Sequence, residues 1–101
     1  MLNRNPLMKW RVYILLCADG SYYVGHTYDL ESRVRDHNLG RAAVHTALRR
    51  PVVLVYSESA GSRLAASERE RQIKRWSRAK KEALIGGNGQ ALRELSKRRG
   101  R

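Results

Sequence analysis

The stretch from Val12 to Gly25, "VYILLCADGSYYVG", constrains the fold more than any other. "KWRVYILL" over residues 9–16 mixes alternation with β-branched and aromatic content, "ADG" supplies turn chemistry, and "SYYVG" resumes the apolar-aromatic pattern. That order predicts an antiparallel hairpin. Its register stays open at this level. A two-residue loop at Asp19-Gly20 would set Leu16 opposite Tyr23 and point Tyr13 and Tyr23 to opposite faces, because strand side chains alternate. A three-residue loop, Ala18-Asp19-Gly20 with Gly20 left-handed, would set Leu15 opposite Tyr23 and bring both phenols to one face.

Beyond the hairpin, Asp29 is placed to cap a helix over "LESRVRDHNL", with Glu31 near the positive end of its dipole and Gly40 as the C-terminal stop. "GRAAVHTALRR" reads as a basic loop or broken turn. "PVVLVY" is apolar on both faces and predicts a strand in the middle of a small sheet, with Pro51 at its first position. From Ser62 to Trp76 the chain lacks Gly and Pro, and Ala65, Ala66, Ile73 and Trp76 share one side of a helical wheel. "SRAKKEALI" reads as a shorter helix capped by Ser77 and ended by Gly86-Gly87, and "QALRELSKRRGR" as a weak helix fraying into a basic tail. The expected class is α+β: a small antiparallel sheet of about three strands with helices packed against it.

At 101 residues the chain is one domain with little spare stability. Its 21 Lys and Arg against 9 Asp and Glu give a net charge of +12, which makes a polyanion, nucleic acid first, the expected partner. Cys17 is alone, so no intramolecular disulfide forms, and no Cys-x-x-Cys pair offers a zinc site. No metal-ligand spacing links His26, His37 and His45 either. The start "MLNRNPLMKW" lacks a signal-peptide core, and no run of about 18 apolar residues occurs. A cytoplasmic protein without membrane association is expected, close to the nucleoid if bacterial.

Four pieces then stand in order: "VYIL", "YVG" ten residues on, "TYDLESRVRDHN" and "ERQIKRWSRAKK". Together, over about residues 10–85, they resemble the GIY-YIG nuclease domain, in particular the small stand-alone GIY-YIG proteins of bacteria. The first motif departs from the family name, since Arg11-Val12-Tyr13 keeps the tyrosine and loses the glycine. The resemblance implies an organisation into an N-terminal extension (1–9), a nuclease domain (10–85) and a basic C-terminal helix and tail (86–101). It also implies a metal-dependent endonuclease using Mg²⁺ or Mn²⁺ on DNA, with structured or branched DNA, as in repair or recombination, as the expected substrate. The tiny size and the absence of a separate DNA-targeting domain favour weak or no specificity, and a protein partner for substrate targeting is among the expected partners. The rival reading is a basic binder of nucleic acid, RNA included, that keeps the fold without cleaving.

Phosphodiester hydrolysis needs a base for water, positive charge on the phosphate and help for the departing oxygen, much of which a bound metal supplies. By resemblance, Tyr13 is the general base and Tyr23 orients phosphate or water, which requires the three-residue loop. A phenol titrates near pH 10, so Tyr13 needs a nearby cation, with His26 and the metal as candidates. Arg33 and His37 stand four apart on one helix face. They match the family's arginine, which would hold the scissile phosphate, and its His or Tyr, which would bond a tyrosine or relay a proton. Glu68 and Glu70 are the acidic candidates for the metal. Helical spacing does not choose between them, because they border opposite sides of the apolar face, but the related proteins' Glu four residues before the Lys of "QIK" favours Glu70. Gly25 suits a helix entry or a close approach to phosphate, and Thr27 a cap or phosphate contact. His26, Arg49, Arg50, Lys74, Arg75, Arg78, Lys80 and Lys81 are the cations expected to track a nucleic-acid backbone.

Overall fold

A computed structural model describes residues 8–99. Only Met8 and Lys9 of the expected N-terminal extension fall within them, and residues 100–101 of the expected tail fall outside. Strands β1 (Arg11–Leu16), β2 (Tyr22–Thr27) and β3 (Val53–Ser59) form one antiparallel sheet in the order β2-β1-β3. Helices α1 (Leu30–Asn38), α2 (Val44–Ala47), α3 (Arg63–Lys74), α4 (Arg78–Ile85) and α5 (Gly89–Arg99) complete an α+β domain. None of the described helices is long and apolar enough to cross a membrane.

The hairpin takes the three-residue loop. Gly20 has φ of 87°, its N–H donates to Cys17 O at 2.9 Å, and Cys17 N–H donates to Ser21 O at 2.8 Å. Asp19 ties the turn by accepting from Ser21 Oγ at 2.6 Å, Ser21 N at 3.0 Å and Arg49 Nε at 2.9 Å. The Ser21 bonds, with Arg49, hold this carboxyl down at about 2. Leu15 consequently pairs with Tyr23 and Tyr13 with Gly25. Both tyrosines lie on the same face.

Strand alternation then sorts the core. Val12 and Ile14 pack with Val24, Ala66 and Ile73 under α3, whereas Tyr13, Leu15 and Cys17 pack with Val52, Leu30 and Val34 on the α1 side. The strand buried on both faces, with neighbours on both edges, is thus β1. The expectation of a central "PVVLVY" strand is corrected: β3 is an edge strand, Val53 is 58 % exposed, and Pro51 precedes the strand. An apolar run reports on the two faces of a strand and carries no information about its edges. A register shift in the β1–β3 pairing leaves Val55 as the extra residue between Tyr56 and Leu54.

Caps set the helix starts. Ser32 N–H donates to Asp29 Oδ1, Ala65 N–H to Ser62 Oγ and Lys80 N–H to Ser77 Oγ. Gly40 has φ of 77° just past α1. Ala65 is exposed, contrary to the wheel, because the face that docks is centred on Ala66 and Ile73. The segment read as a basic loop contains the single-turn helix α2, whose Thr46 is fully buried.

Candidate active site

One cavity of about 230 Å³ is lined by Tyr13, Tyr23, Gly25, His26, Arg33, His37, Ala42 and Glu70. β1 and β2 supply the two phenols from one face, and α1 brings Arg33 and His37 over that face. His26 pairs with Val12, so it points to the α3 side, where its Nδ1 meets Glu70 Oε1 at 2.5 Å. The carboxylate therefore reaches the cavity along β2, an edge strand.

The Tyr13 hydroxyl lies 2.8 Å from His37 Nε2, and His37 Nδ1 lies 2.7 Å from Thr46 Oγ1. Burial pushes the Tyr13 phenol well above its ordinary value; the neighbouring Tyr23 adds to this, and the Arg33 charge opposes it. Burial and Arg33 together lower His37, which keeps its ring neutral at neutral pH. Of the two candidates for a cation beside Tyr13, His26 is committed to Glu70, and Arg33, which was not one of them, is a neighbouring charge that favours the phenolate. Among the described residues no hydrogen bond or ion pair engages the Arg33 guanidinium.

Glu70 accepts from both of its neighbours. Lys74 Nζ lies 2.6 Å from Oε2, the oxygen that His26 leaves free. Burial alone would raise this carboxyl, yet the Lys74 and His26 bonds outweigh it and hold Glu70 below the usual range. Glu68 lies outside the cavity, in a groove with Arg71, Gln72, Arg75 and Trp76.

Gly25 has a different role from the one its motif suggests. A Cβ there would run into the Tyr13 hydroxyl and come within 2.6 Å of its Cζ, so the close approach is by the tyrosine ring. Thr27 is buried and closes the turn into α1, its Oγ1 accepting from Asp29 N–H at 3.2 Å.

Several cations expected on a nucleic-acid track also make contacts to the fold itself, although Arg50 and Arg78 remain exposed. Lys80 is only 7 % exposed, with its ammonium 4.2 Å from the Trp76 ring centroid. Arg78 stacks on Tyr22 at 4.4 Å and binds Glu82 and Gly20 O. Arg49 binds Asp19 and His45 O, and Arg50 binds Ala47 O. Lys81 is half-buried, while Arg75 is exposed beside the Glu68 groove. Charge counting could not separate these roles, since packing on an aromatic ring leaves no mark in a run of lysines and arginines. Thr46, which no sequence pattern singles out, meets His37 only because α2 folds back on α1.

The family model described as the GIY-YIG catalytic domain matches residues 9–83. A UPF0213 protein of Halobacterium salinarum is 49 % identical over 74 residues, covering 73 % of this chain and 96 % of its own length. Another from Staphylococcus haemolyticus is 46 % identical over 79 residues, covering 78 % and 96 % respectively. The solution structure of a UPF0213 protein from Bacillus halodurans superposes with a TM-score of 0.52 at 40 % identity, over 81 % of this chain and 87 % of that one. The solution structure of a protein from E. faecalis gives 0.54 at 34 % identity, over 86 % of this chain and 90 % of that one.

Proposed function

Because the chain belongs to the GIY-YIG catalytic-domain family, we propose that it is a divalent-metal-dependent endonuclease hydrolysing phosphodiester bonds in DNA, with structured or branched DNA in repair or recombination as its substrate. One observation carries this reading: two phenols, a guanidinium, a carboxylate and a buried imidazole converge on a single cavity. The net charge of +12 favours a nucleic-acid partner through counterion release.

In this reading the Arg33 fork holds non-bridging oxygens of the scissile phosphate, where charge grows in the transition state. Tyr13 does not rest as a phenolate, because its burial opposes ionisation. It takes a proton from water only as its own proton leaves, and His37 Nε2 at 2.8 Å is the neighbouring acceptor. Tyr23, on the same face, orients the water or phosphate.

The donor set at Glu70 fits Mg²⁺ or Mn²⁺, since a hard cation is often held by one or two carboxylates with waters and substrate phosphate. Such an ion supplies positive charge at the phosphate and lowers the pKa of its waters. Among the described residues no cluster of three acidic, His or Cys side chains offers a fuller cage, so Glu70 would be the protein's anchor. Lys74 competes for it. Mn²⁺ binding to the protein alone, followed by electron paramagnetic resonance, is expected to be lost in Glu70→Gln and kept in Glu68→Gln. Lys74→Met should tighten it about two- to fivefold, the equivalent of the roughly 0.4–1 kcal/mol of an exposed ion pair. Mn²⁺ binding that survives Glu70→Gln and disappears in Glu68→Gln would reverse the assignment.

The deciding experiment is nicking of branched DNA by the purified chain with and without Mg²⁺ or Mn²⁺, with Tyr13→Phe as control. Metal-dependent nicking absent from the control supports the nuclease; steeply salt-dependent binding with no nicking would leave the nucleic-acid-binding rival standing.

Acid should switch the activity off through His37. Its pKa lies below the ordinary 6.5, so the rate is expected to stay level through neutrality and fall as pH drops through that lowered value. The unfolded chain's histidine takes up its proton at higher pH than the buried one does. Stability therefore also declines as pH falls below the ordinary value, and thermal unfolding at each pH separates the two effects. A rate that falls already above pH 7 would contradict the assignment.

A further inference from the structure

We propose that Thr46 is a positioning residue that fixes the protonation of the His37 ring, and thereby decides that Tyr13 acts as a proton acceptor toward water. The inference rests on the nuclease reading for its purpose, and on hydrogen-bond geometry for its substance. Thr46 Oγ1 has one hydrogen. It lies 3.2 Å from Ala43 O, which can only accept, and we assign the hydrogen to that bond, because the imidazole on the other side can supply a hydrogen of its own and only this arrangement makes both bonds. Toward His37 Nδ1 at 2.7 Å the same oxygen must then accept, and Nδ1 carries the proton. Nε2 is left with its lone pair, and at 2.8 Å it accepts from the Tyr13 hydroxyl. Thr46 is 0 % exposed and His37 1 %, so water does not compete for these bonds.

The direction of this chain has a chemical consequence. With Nδ1–H, the phenol sends its hydrogen to His37 and turns oxygen lone pairs toward the cavity. A water proton can then move to the Tyr13 oxygen while the Tyr13 proton moves to His37 Nε2. The water oxygen forms its bond to phosphorus, the P–O bond to the leaving group breaks, and the released oxygen takes a proton from solvent. The resulting imidazolium keeps its Nδ1–H bond to Thr46. With the opposite tautomer, Nε2–H would donate to Tyr13 and aim the phenol's hydrogen into the cavity, making Tyr13 a donor to phosphate and no base.

The test reads the ring directly. Two-bond ¹H–¹⁵N correlation on the uniformly ¹⁵N-labelled full chain at neutral pH should show His37 protonated at Nδ1. Thr46→Val, which keeps the shape and loses the acceptor, should move the proton to Nε2 and lower single-turnover cleavage about 10–100-fold, the usual cost of losing a histidine's outer partner. Thr46→Ser should restore both. An Nε2–H tautomer in the unaltered chain overturns the proposal, and so does a folded Thr46→Val that keeps Nδ1–H and full rate. Should Thr46→Val not fold, the tautomer of the unaltered chain decides alone. That measurement needs no cleavage, so failure of the nuclease reading is distinguishable from failure of this one.

Discussion

Arg33→Ala is expected to lower single-turnover cleavage at saturating DNA and metal by about a hundredfold or more, with the fold intact. The size follows from removing a preorganised charge aimed at developing negative charge in a partly desolvated cavity. The fold should survive because, among the described residues, the guanidinium makes no hydrogen bond or ion pair and is not among the buried groups of the core. Arg33→Lys should restore only part of the rate, since an ammonium keeps the charge and loses the planar fork. Two secondary effects act in known directions. Without the Arg33 charge the Tyr13 phenol loses a neighbour that favours its ionised form, and His37 loses one that holds its pKa down. The acid limb of the rate should therefore move to higher pH in whatever activity remains. Rapid-quench cleavage and thermal unfolding on the same preparations check both halves; a stable Arg33→Ala that cleaves at full rate places the phosphate site elsewhere.

Gly25→Ala should destabilise the domain by about 1–3 kcal/mol, the usual cost of forcing an extra carbon into a packed core. For a domain of this size that is a fall in Tm of roughly 4–8 °C per kcal/mol. The sign is the informative part, because alanine in a strand interior is ordinarily better than glycine by about 0.5–1 kcal/mol. Here the new Cβ would meet the Tyr13 hydroxyl and sit 2.6 Å from its Cζ. The ring cannot swing away cheaply, being 2 % exposed and bonded to His37. Its displacement should also break the contact with His37 and remove cleavage. A Gly25→Ala protein as stable as its parent would mean that Tyr13 does not lie over Gly25.

Much of the scaffold is legible locally. Helix starts follow from Asp29, Ser62 and Ser77, whose short side chains satisfy backbone N–H groups within three residues. The shared face of Tyr13 and Tyr23 is legible only as a choice between two loops, since one residue more or less inverts every side chain of a strand; the family resemblance requires the three-residue loop, and the left-handed Gly20 sets it. Arg33 and His37 are readable as neighbours because four residues make about one helical turn.

What local spacing could not decide was which surface each element offers to distant ones. Glu68 and Glu70 border the same apolar face from opposite sides, and only the docking of α3 along β2 turns Glu70 into the cavity and leaves Glu68 in a separate groove. "PVVLVY" carries apolar side chains wherever it lies in the sheet, so its place at the edge depended on β1 pairing on both sides. Thr46 is an unremarked residue in a basic stretch until α2 sets it against His37, and Lys80 is one lysine of a pair until Trp76 covers it. The residue types and their helical or strand periods are local properties written along the chain. Burial, hydrogen-bond partners and the pKa values that follow from them arise between segments far apart in sequence, and only the assembled tertiary structure sets them.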